Sequence, residues 1–511
     1  MKGKMITTYY DQHLGRIWQE QDLSEFMDEK SSGKIKESNV ICLYPAFTFQ
    51  RIEGYGCAMT ESACFLLSKM TPEIRKAALE CWFGEKGVNA NLIRMHIDSC
   101  DYSLSQYQAI VNPAQDFSLK NFRIKRDHIF MIPVVKETME LTGEDLEVLL
   151  SPWSPPAEWK TKPEMTENDM AVYGGMLEGV DFSKPSRCFG GRLKPEYYEA
   201  WAKYLVAYIK AYLKEGIPVT MLSIQNEAGA ATNWDSCVWS GAQEKKFLKD
   251  YLYPAVKKAG LAGTIGIFVW DHNKERMIEH VEEVVDEETK DMIKGFAYHW
   301  YTGDHFDVLS MLNTKYPEKV LMHSESCGLH IPGKPLPCEI TEEMKKNLPP
   351  EMMIAVNRSS GEIEYDDAMS YAHDMIGDIN HGMNRWIDWN MIVDRTGGPR
   401  HVPGGFAAPI VAEDDGTFTK TLSYYYIKQI ATTIRPEAVR IGSSIYGAGI
   451  EVTAAKNSDG SIGIVLLNRM EKDITVTMRL NGYCSNIKLS GKTLNSLLVE
   501  EPVYVQLQKG E

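Results

Sequence analysis

The sequence predicts a closed (β/α)8 barrel of the TIM type joined to an all-β sandwich. Three observations carry that prediction. Eight apolar, β-branched segments of strand length recur along the middle of the chain. Amphipathic segments with helical spacing separate most of them, and after about Ile434 the pattern changes to short strands punctuated by turn signals.

In chain order, the first fifty residues contain one strand-like run, 38–50, which is expected to complete the carboxy-terminal sandwich. Residues 1–50 are therefore assigned to the sandwich, 51–433 to the barrel and 434–511 to the sandwich again. Barrel strands are read at 51–60, 91–97, 146–152, 219–227, 264–271, 295–301, 320–325 and 385–391. Their near-continuous hydrophobicity suits parallel strands buried on both faces. Helices are expected at 197–214, 242–259 and 371–383. The stretch 328–366 carries Pro332, Pro335, Pro337 and Pro349-Pro350, so it reads as a rim or lid over the barrel. Beyond the barrel, strands are expected at 449–455, 461–467, 474–480, 487–489 and 503–507. The turns Asn457-Ser458-Asp459-Gly460 and Asn481-Gly482 lie between them.

Composition narrows the function. The 511 residues hold 70 acidic and 55 basic side chains, a net charge of −15, which argues against nucleic acid or an anionic membrane as partner. At 44% apolar and 24% charged the chain is ordinary globular protein, which excludes disorder and coiled coil. It has no run of about 18 apolar residues, so no membrane span is expected. The segment 1–13 lacks the apolar stretch of a secretory signal, which gives a cytoplasmic expectation. A chain stripped of its leader would read the same way and would be secreted. Ten cysteines without a Cys-x-x-Cys pair read as reduced thiols. Oligomeric state is not legible.

In a barrel of this kind the strand ends face the active-site mouth. Reading them off gives Glu61, Asp98, Asp101, Trp153, Asn226-Glu227, Asp271-His272, His299-Trp300-Tyr301, Glu325 and Trp386-Ile387-Asp388-Trp389-Asn390. Carboxylates and aromatics dominate. Nucleophile-elbow, Walker, dinucleotide and His-Glu-x-x-His patterns are absent, and His272, His299 and His323 show no metal-ligand spacing. No cofactor and no metal are expected. Carboxylates among stacking rings are what glycoside cleavage needs: rings hold the CH faces of a sugar, and two carboxyl groups flank the scissile bond. The strongest pair is Glu227 after the fourth strand and Glu325 after the seventh. Asp98 reads more readily as a turn cap, and Asp271-His272 as site-lining or structural. Cys237 and Cys327 read as small packing residues. Trp234 and Trp239 are candidates for a further sugar platform or for packing their loop.

At this point the sequence resembles glycoside hydrolase family 30, the glucosylceramidase-like retaining β-glycosidases. The matching segments are Gly54-Tyr55-Gly56-Cys57-Ala58-Met59-Thr60, Ser99-Cys100-Asp101-Tyr102-Ser103, Ser151-Pro152-Trp153-Ser154-Pro155-Pro156, Gln225-Asn226-Glu227, His299-Trp300-Tyr301 and Trp386-Ile387-Asp388-Trp389-Asn390. The resemblance implies that Glu227 is the general acid/base and Glu325 the nucleophile, with Asn226 on the sugar 2-hydroxyl. It further implies that Asp101 and Trp153 contact the far hydroxyls, and that Trp386 is the stacking floor. Arg94 and Tyr301 would hydrogen-bond the nucleophile. The acid is expected to be kept protonated by burial or by the nucleophile's charge. A retaining mechanism predicts carboxyl groups about 5–5.5 Å apart.

Two departures stand out. Ala228-Gly229 replaces the proline that commonly follows the acid/base, and Arg400 follows Gly397-Gly398-Pro399 where the glucosylceramidase branch has Asn. Arg400 is expected either to pair with an acid such as Asp394 or Asp235, or to clamp a sugar carboxylate. The expected function is an exo-acting β-glucosidase or β-xylosidase acting on a carbohydrate or glycoside. Endo-β-1,6-glucanase and β-glucuronidase are the alternatives on the same scaffold. A non-catalytic carbohydrate-binding barrel is the alternative from another class.

Overall fold

The computed structural model describes residues 3–11, 13–23, 27–28, 39–143, 146–163, 181–328, 360–402, 404–447 and 449–500. Eight parallel strands close into a barrel in sequence order: β1 (Gly54–Ala58), β2 (Leu92–Ile97), β3 (Glu147–Pro152), β4 (Val219–Ser223), β5 (Gly266–Asn273), β6 (Gly295–His299), β7 (Val320–Glu325) and β8 (Arg385–Asn390). Every residue of β2, β7 and β8 is buried, as expected for strands covered on both faces. Seven strands send a side chain into the packed interior, including Leu92, Leu149, Phe268, Met322 and Ile387. The first strand contributes Gly56 instead, where the Leu92 backbone fills the space a side chain would need.

Local chemistry sets the helix starts. Thr60 caps Glu61–Lys69 by accepting from the Ala63 amide, and Thr71 caps Pro72–Phe83 from Ile74 with Pro72 in the first turn. Ser240 and Gln243 form a reciprocal capping box at Gly241–Phe247. The helix expected over 242–259 is interrupted: Gly241–Phe247 passes through a π-helical turn, Leu248–Leu252, before Tyr253–Lys258. Pro254 has no amide to donate back along an unbroken α-helix, and the wider turn accommodates that. The helix Tyr198–Lys214 buries a tyrosine row along one face, Tyr204, Tyr208 and Tyr212. The Tyr204 hydroxyl donates to Asp98 (2.7 Å) and the Tyr212 hydroxyl to Asp127 (2.8 Å).

By contact density the chain divides into two units, the described residues of Tyr55–Ile340 with Arg385–Thr419, and those of Met1–Gly54, Thr341–Asn384 and Lys420–Glu511. The second unit is built on a ten-stranded sheet. Its strand order is Gly15–Asp22, Gly3–Asp11, Thr493–Glu500, Ser461–Asn468, Ile450–Lys456, Val439–Tyr446, Val40–Arg51, Ile474–Leu480, Tyr483–Leu489 and Met27–Asp28. The amino-terminal hairpin pairs directly with the carboxy-terminal strand, Met5 opposite Leu497, so the two ends of the chain share one core with Ile464 and Met478. Two helices, Ser360–Asn380 and Leu422–Thr433, group with this sheet. Gln429 donates to the carbonyl of Ile6 (2.9 Å) and Asn380 to that of Val452 (2.9 Å). Residues 329–359, most of the stretch read as a rim or lid, and the strand expected at 503–507 lie outside the described residues.

A Cβ added at Gly56 would lie 2.1 Å from the Leu92 carbonyl oxygen, a backbone atom that cannot move without shearing the β1–β2 ladder. Gly56→Ala should destabilise the barrel by about 3 kcal/mol or more in denaturant unfolding. Gly263→Ala, with open space around it, should stay within about 0.5 kcal/mol of the parent chain.

Candidate active site

The carboxyl ends of the strands open onto a cavity of about 260 Å³. Glu227 and Glu325 both line it, from the turn after β4 and the last residue of β7. Asp101, Trp153, Trp234 and Tyr301 line it too, so six of the side chains expected there share one concave surface.

Glu325 is held at both oxygens. Arg94 Nη1 donates to Oε2 (2.6 Å) and the Tyr301 hydroxyl donates to Oε1 (3.0 Å). The Arg94 side chain is fully buried; its Nη2 donates to Asn226 Oδ1 (2.7 Å) and Asp271 Oδ2 (2.9 Å) and its Nε to Ser151 Oγ (3.2 Å). Its guanidinium also lies over the Trp153 ring (4.9 Å), which stacks on Trp389 with centroids 5.1 Å apart. Burial works against the Arg94 charge, yet the carboxylates of Asp271 and Glu325 outweigh it and its pKa is raised.

Asp271 is the hub that sequence reasoning left undecided. Besides Arg94 it accepts from the hydroxyls of Ser223 (2.6 Å) and Ser324 (2.5 Å), and His299 Nε2 lies 3.2 Å from its other oxygen. Burial opposes its ionisation, but Arg94 and His299 hold the carboxyl far below the usual carboxylate range. The backbone delivers it through a distortion. The β5–β6 register jumps from Ala297 opposite Trp270 to Tyr298 opposite His272, leaving Asp271 out of the ladder. Trp270 and Asp271 both have positive φ, 76° and 48°, a strained conformation for side chains of their kind. A second jump, from Tyr298 opposite His323 to His299 opposite Glu325, bulges Ser324. Through it Ser324 and Glu325, neighbours in a strand, both reach the same buried cluster.

Glu227 sits at φ 51°, its amide bonded to the Asp271 carbonyl (2.8 Å). Its Oε1 faces two imidazoles, His299 Nδ1 at 3.7 Å and His272 Nδ1 at 3.8 Å. Burial pushes the Glu227 carboxyl up, but His299 and His272 bring it below its ordinary value. Burial also lowers His299, yet Glu325, Asp271 and Glu227 carry its pKa up to about 9, whereas burial brings His272 down to about 4. The bias on Glu227 is therefore toward its ionised form, with His299 and His272 as the cause, the reverse of the bias expected from burial alone.

Three expected site residues fall elsewhere or act indirectly. Trp386 is not the floor of the cavity. Strand alternation sends Ile387 inward and Trp386 outward, where its ring packs against His323 (5.7 Å); the next ring on the inward side, Trp389, lines the cavity instead. Arg400 does not line the cavity either. It stands behind Asp101, with Nη2 3.4 Å from Oδ2, and lies against the rings of Tyr102 and Phe406. Asp394 bonds Thr396 and Gly398, and Asp235 pairs with Arg187, so neither serves Arg400. Asn226 is turned to Arg94, adjacent to the cavity rather than along its wall. Of the residues read as structural, Asp98 is a buried acceptor for Tyr204, Tyr208 and the Ala109 amide. Glu61, named among the strand ends at the mouth, pairs with Arg126, and Trp239, a candidate for a sugar platform or for packing its loop, packs on Phe247. Cys327 lines the cavity, but burial raises its thiol well above the normal range, which removes it as a nucleophile. The nine described cysteines form no disulfide with one another. No described helix is long and apolar enough to cross a membrane.

Comparisons with known proteins agree with this geometry. The model of the glycosyl hydrolase family 30 TIM-barrel domain matches residues 52–331 and 342–434, and that of the family 30 beta sandwich domain matches 437–497. The lysosomal acid glucosylceramidase of Mus musculus is 25% identical over 450 residues, covering 86% of this chain and 79% of that protein. Among solved structures, SrfJ from Salmonella typhimurium superposes with a TM-score of 0.82 at 28% identity, covering 98% of this chain and all of that one. The endo-beta1,6-glucanase BT3312 superposes at 0.77 with 25% identity and the same coverage.

Removing the Arg94 charge leaves Asp271 and Glu325 buried without their shared cation. Arg94→Met should cost about 3–5 kcal/mol in denaturant unfolding, whereas Tyr301→Phe, which removes one hydrogen bond, should cost about 1 kcal/mol.

Proposed function

This chain belongs to glycosyl hydrolase family 30, and we propose that it hydrolyses β-glucosides with retention of configuration, releasing glucose from a nonreducing end. It is a glycoside hydrolase. The observation that carries the finer reading is a carboxylate, Glu325, clamped by Arg94 and Tyr301 and sharing with Glu227 the lining of a small cavity with a tryptophan wall.

In the proposed reaction Glu325 Oε attacks the anomeric carbon as the glycosidic C–O bond breaks, and Glu227 gives its proton to the departing oxygen. Arg94 and Tyr301 each donate to one oxygen of Glu325 and fix both in place. Water then attacks the glycosyl-enzyme, Glu227 takes its proton, and the ester bond to Glu325 breaks to return the free carboxylate. His299 Nδ1 lies 3.7 Å from Glu227 Oε1, close enough to exchange a proton with the acid. Trp389 and Trp153 supply the apolar surface for the sugar's CH faces, and Asp101 supplies an acceptor for its hydroxyls.

Glucose is the sugar supported by the relatives, since a glucosylceramidase and a β-1,6-glucanase both carry it in their names. A cavity of about 260 Å³, small among ligand sites, favours one terminal residue over a length of polymer. A carboxylated sugar is disfavoured because Arg400 lies between two rings and does not line the cavity, with its Nη2 toward Asp101. Endo action on β-1,6-glucan is the second reading, favoured by the full-length likeness to BT3312. Digestion of a β-1,6-glucan separates the two, since exo action yields glucose alone from the first minutes and endo action yields oligosaccharides.

Roles are tested by azide rescue on nitrophenyl β-glucoside. Glu325→Ala should lose about 10³-fold or more of kcat and, with azide, give the α-glucosyl azide. Glu227→Ala should lose about 10²–10⁴-fold on poor leaving groups and give the β-azide. Reversed products would exchange the roles, and no turnover of any aryl glycoside by the parent chain would leave only a binding barrel.

A pH signature follows from Asp101. Burial raises its carboxyl to about 7, with Glu325 and Glu227 adding to the rise and Arg400 opposing it. Above that pH the ionised form pairs with Arg400 and accepts from sugar hydroxyls. The kcat/KM should therefore climb between about pH 6 and 8, and that limb should vanish in Asp101→Asn.

A further inference from the structure

We propose that Glu227, His272 and His299 form a binding site for a divalent transition-metal ion of the zinc type, and that the ion switches the glycosidase off by capturing its acid/base. One ligand atom from each of Glu227, His272 and His299 lies within 4.8 Å of the other two, all on buried residues, and Glu227 Oε1 is 3.7 and 3.8 Å from the Nδ1 atoms of His299 and His272. Both Nδ1 atoms are buried and make no hydrogen bond, although each points at the carboxylate. Two nitrogens and one oxygen on a single centre are the donor set of His₂Glu zinc sites.

The dimensions suit such an ion. Around a tetrahedral zinc with bonds of about 2.0–2.1 Å, donor atoms stand roughly 3.4 Å apart. The oxygen-to-nitrogen distances here are 3.7 and 3.8 Å, so these two pairs need a contraction of only a few tenths of an ångström, and all three donors already lie within 4.8 Å of one another. His299 is already oriented to ligate, because its opposite nitrogen lies 3.2 Å from Asp271 Oδ1, the carboxylate–histidine arrangement that fixes a metal-bound imidazole. The donors come from the turn after β4, from β5 and from the end of β6, three neighbouring parts of one closed barrel. His272 and Glu227 line the cavity, which leaves the fourth position open to water and gives the ion its entry path. No short-range sequence spacing betrays the site, because each donor sits on a separate strand unit.

Metal binding rests on this geometry alone. Inhibition rests also on the proposed role of Glu227, since the ion would occupy the oxygen that has to carry the proton. The two are tested separately on the intact chain. Equilibrium dialysis and calorimetry with ZnCl₂, without substrate, should give one ion per chain, and His272→Gln and Glu227→Gln should each weaken binding by about tenfold or more. Cobalt(II) should give visible d–d absorption that both variants lose, and melting temperatures confirm that the variants are folded. Zinc should inhibit nitrophenyl β-glucoside hydrolysis competitively and reversibly on chelation. In the residual activity of His272→Gln the inhibition constant should rise by about tenfold or more. Absence of saturable zinc binding, or binding untouched in both variants, overturns the site. Stoichiometric zinc binding lost in the variants, but without inhibition, leaves the site standing and overturns Glu227 as acid/base.

Discussion

The structure of the site depends on one buried cation. Arg94 has no exposed surface, and every nitrogen of its guanidinium donates: to the carboxylates of Glu325 and Asp271, to Asn226 and to Ser151. Moving such an ion out of water costs several kcal/mol, and only close, well-aligned partners offset it. The same contacts decide where Glu325 points. The position of the proposed nucleophile therefore depends on a side chain rooted in β2, with the Tyr301 hydroxyl on its other oxygen.

A buried cation with two buried anions needs further neutralisation, and the remainder of the cluster provides it through hydrogen. Asp271 takes two short serine hydroxyl bonds and leans on His299, which is drawn toward its protonated form by three surrounding carboxyl groups. The distortions at Trp270-Asp271 and Ser324 are what bring these groups inside bonding distance, because regular strands would send alternate residues outward. Strain of about 1–3 kcal/mol per residue is tolerable here since the closed barrel over-determines the backbone on either side.

Much of this was legible in the amino-acid order. Eight apolar runs with helical segments between them specify a closed parallel barrel, and Glu227 and Glu325 at strand ends are carboxylates where a barrel does chemistry. Side-chain direction was less legible. Trp386 and Trp389 are both aromatic and both near the end of β8, and only the phase of strand alternation, anchored by Ile387 in the interior, separates the inward ring from the outward one. Asp271 reads like any strand-end acid, because its importance lies in a register jump that has no composition. Arg400 announced a departure but not its partner: the choice of Asp101 over Asp394 or Asp235 is made by how three loops meet. In the second unit the amino-terminal hairpin escaped notice, since Gly3–Asp11 and Gly15–Asp22 are polar strands whose identity comes from pairing with residues near the other end of the chain.

The two register jumps have a consequence for how such a barrel changes over evolutionary time. A bulge separates the geometry of the mouth from the geometry of the packed cylinder below it, since residues before the jump keep their phase whatever happens after it. Losing or gaining one residue at Ser324 would rotate the terminal acid away from the cavity while leaving Val320 and Met322 in their places. The lower part of the molecule thus acts as a chassis, and new specificities can be sampled by short insertions at the rim without renegotiating the interior.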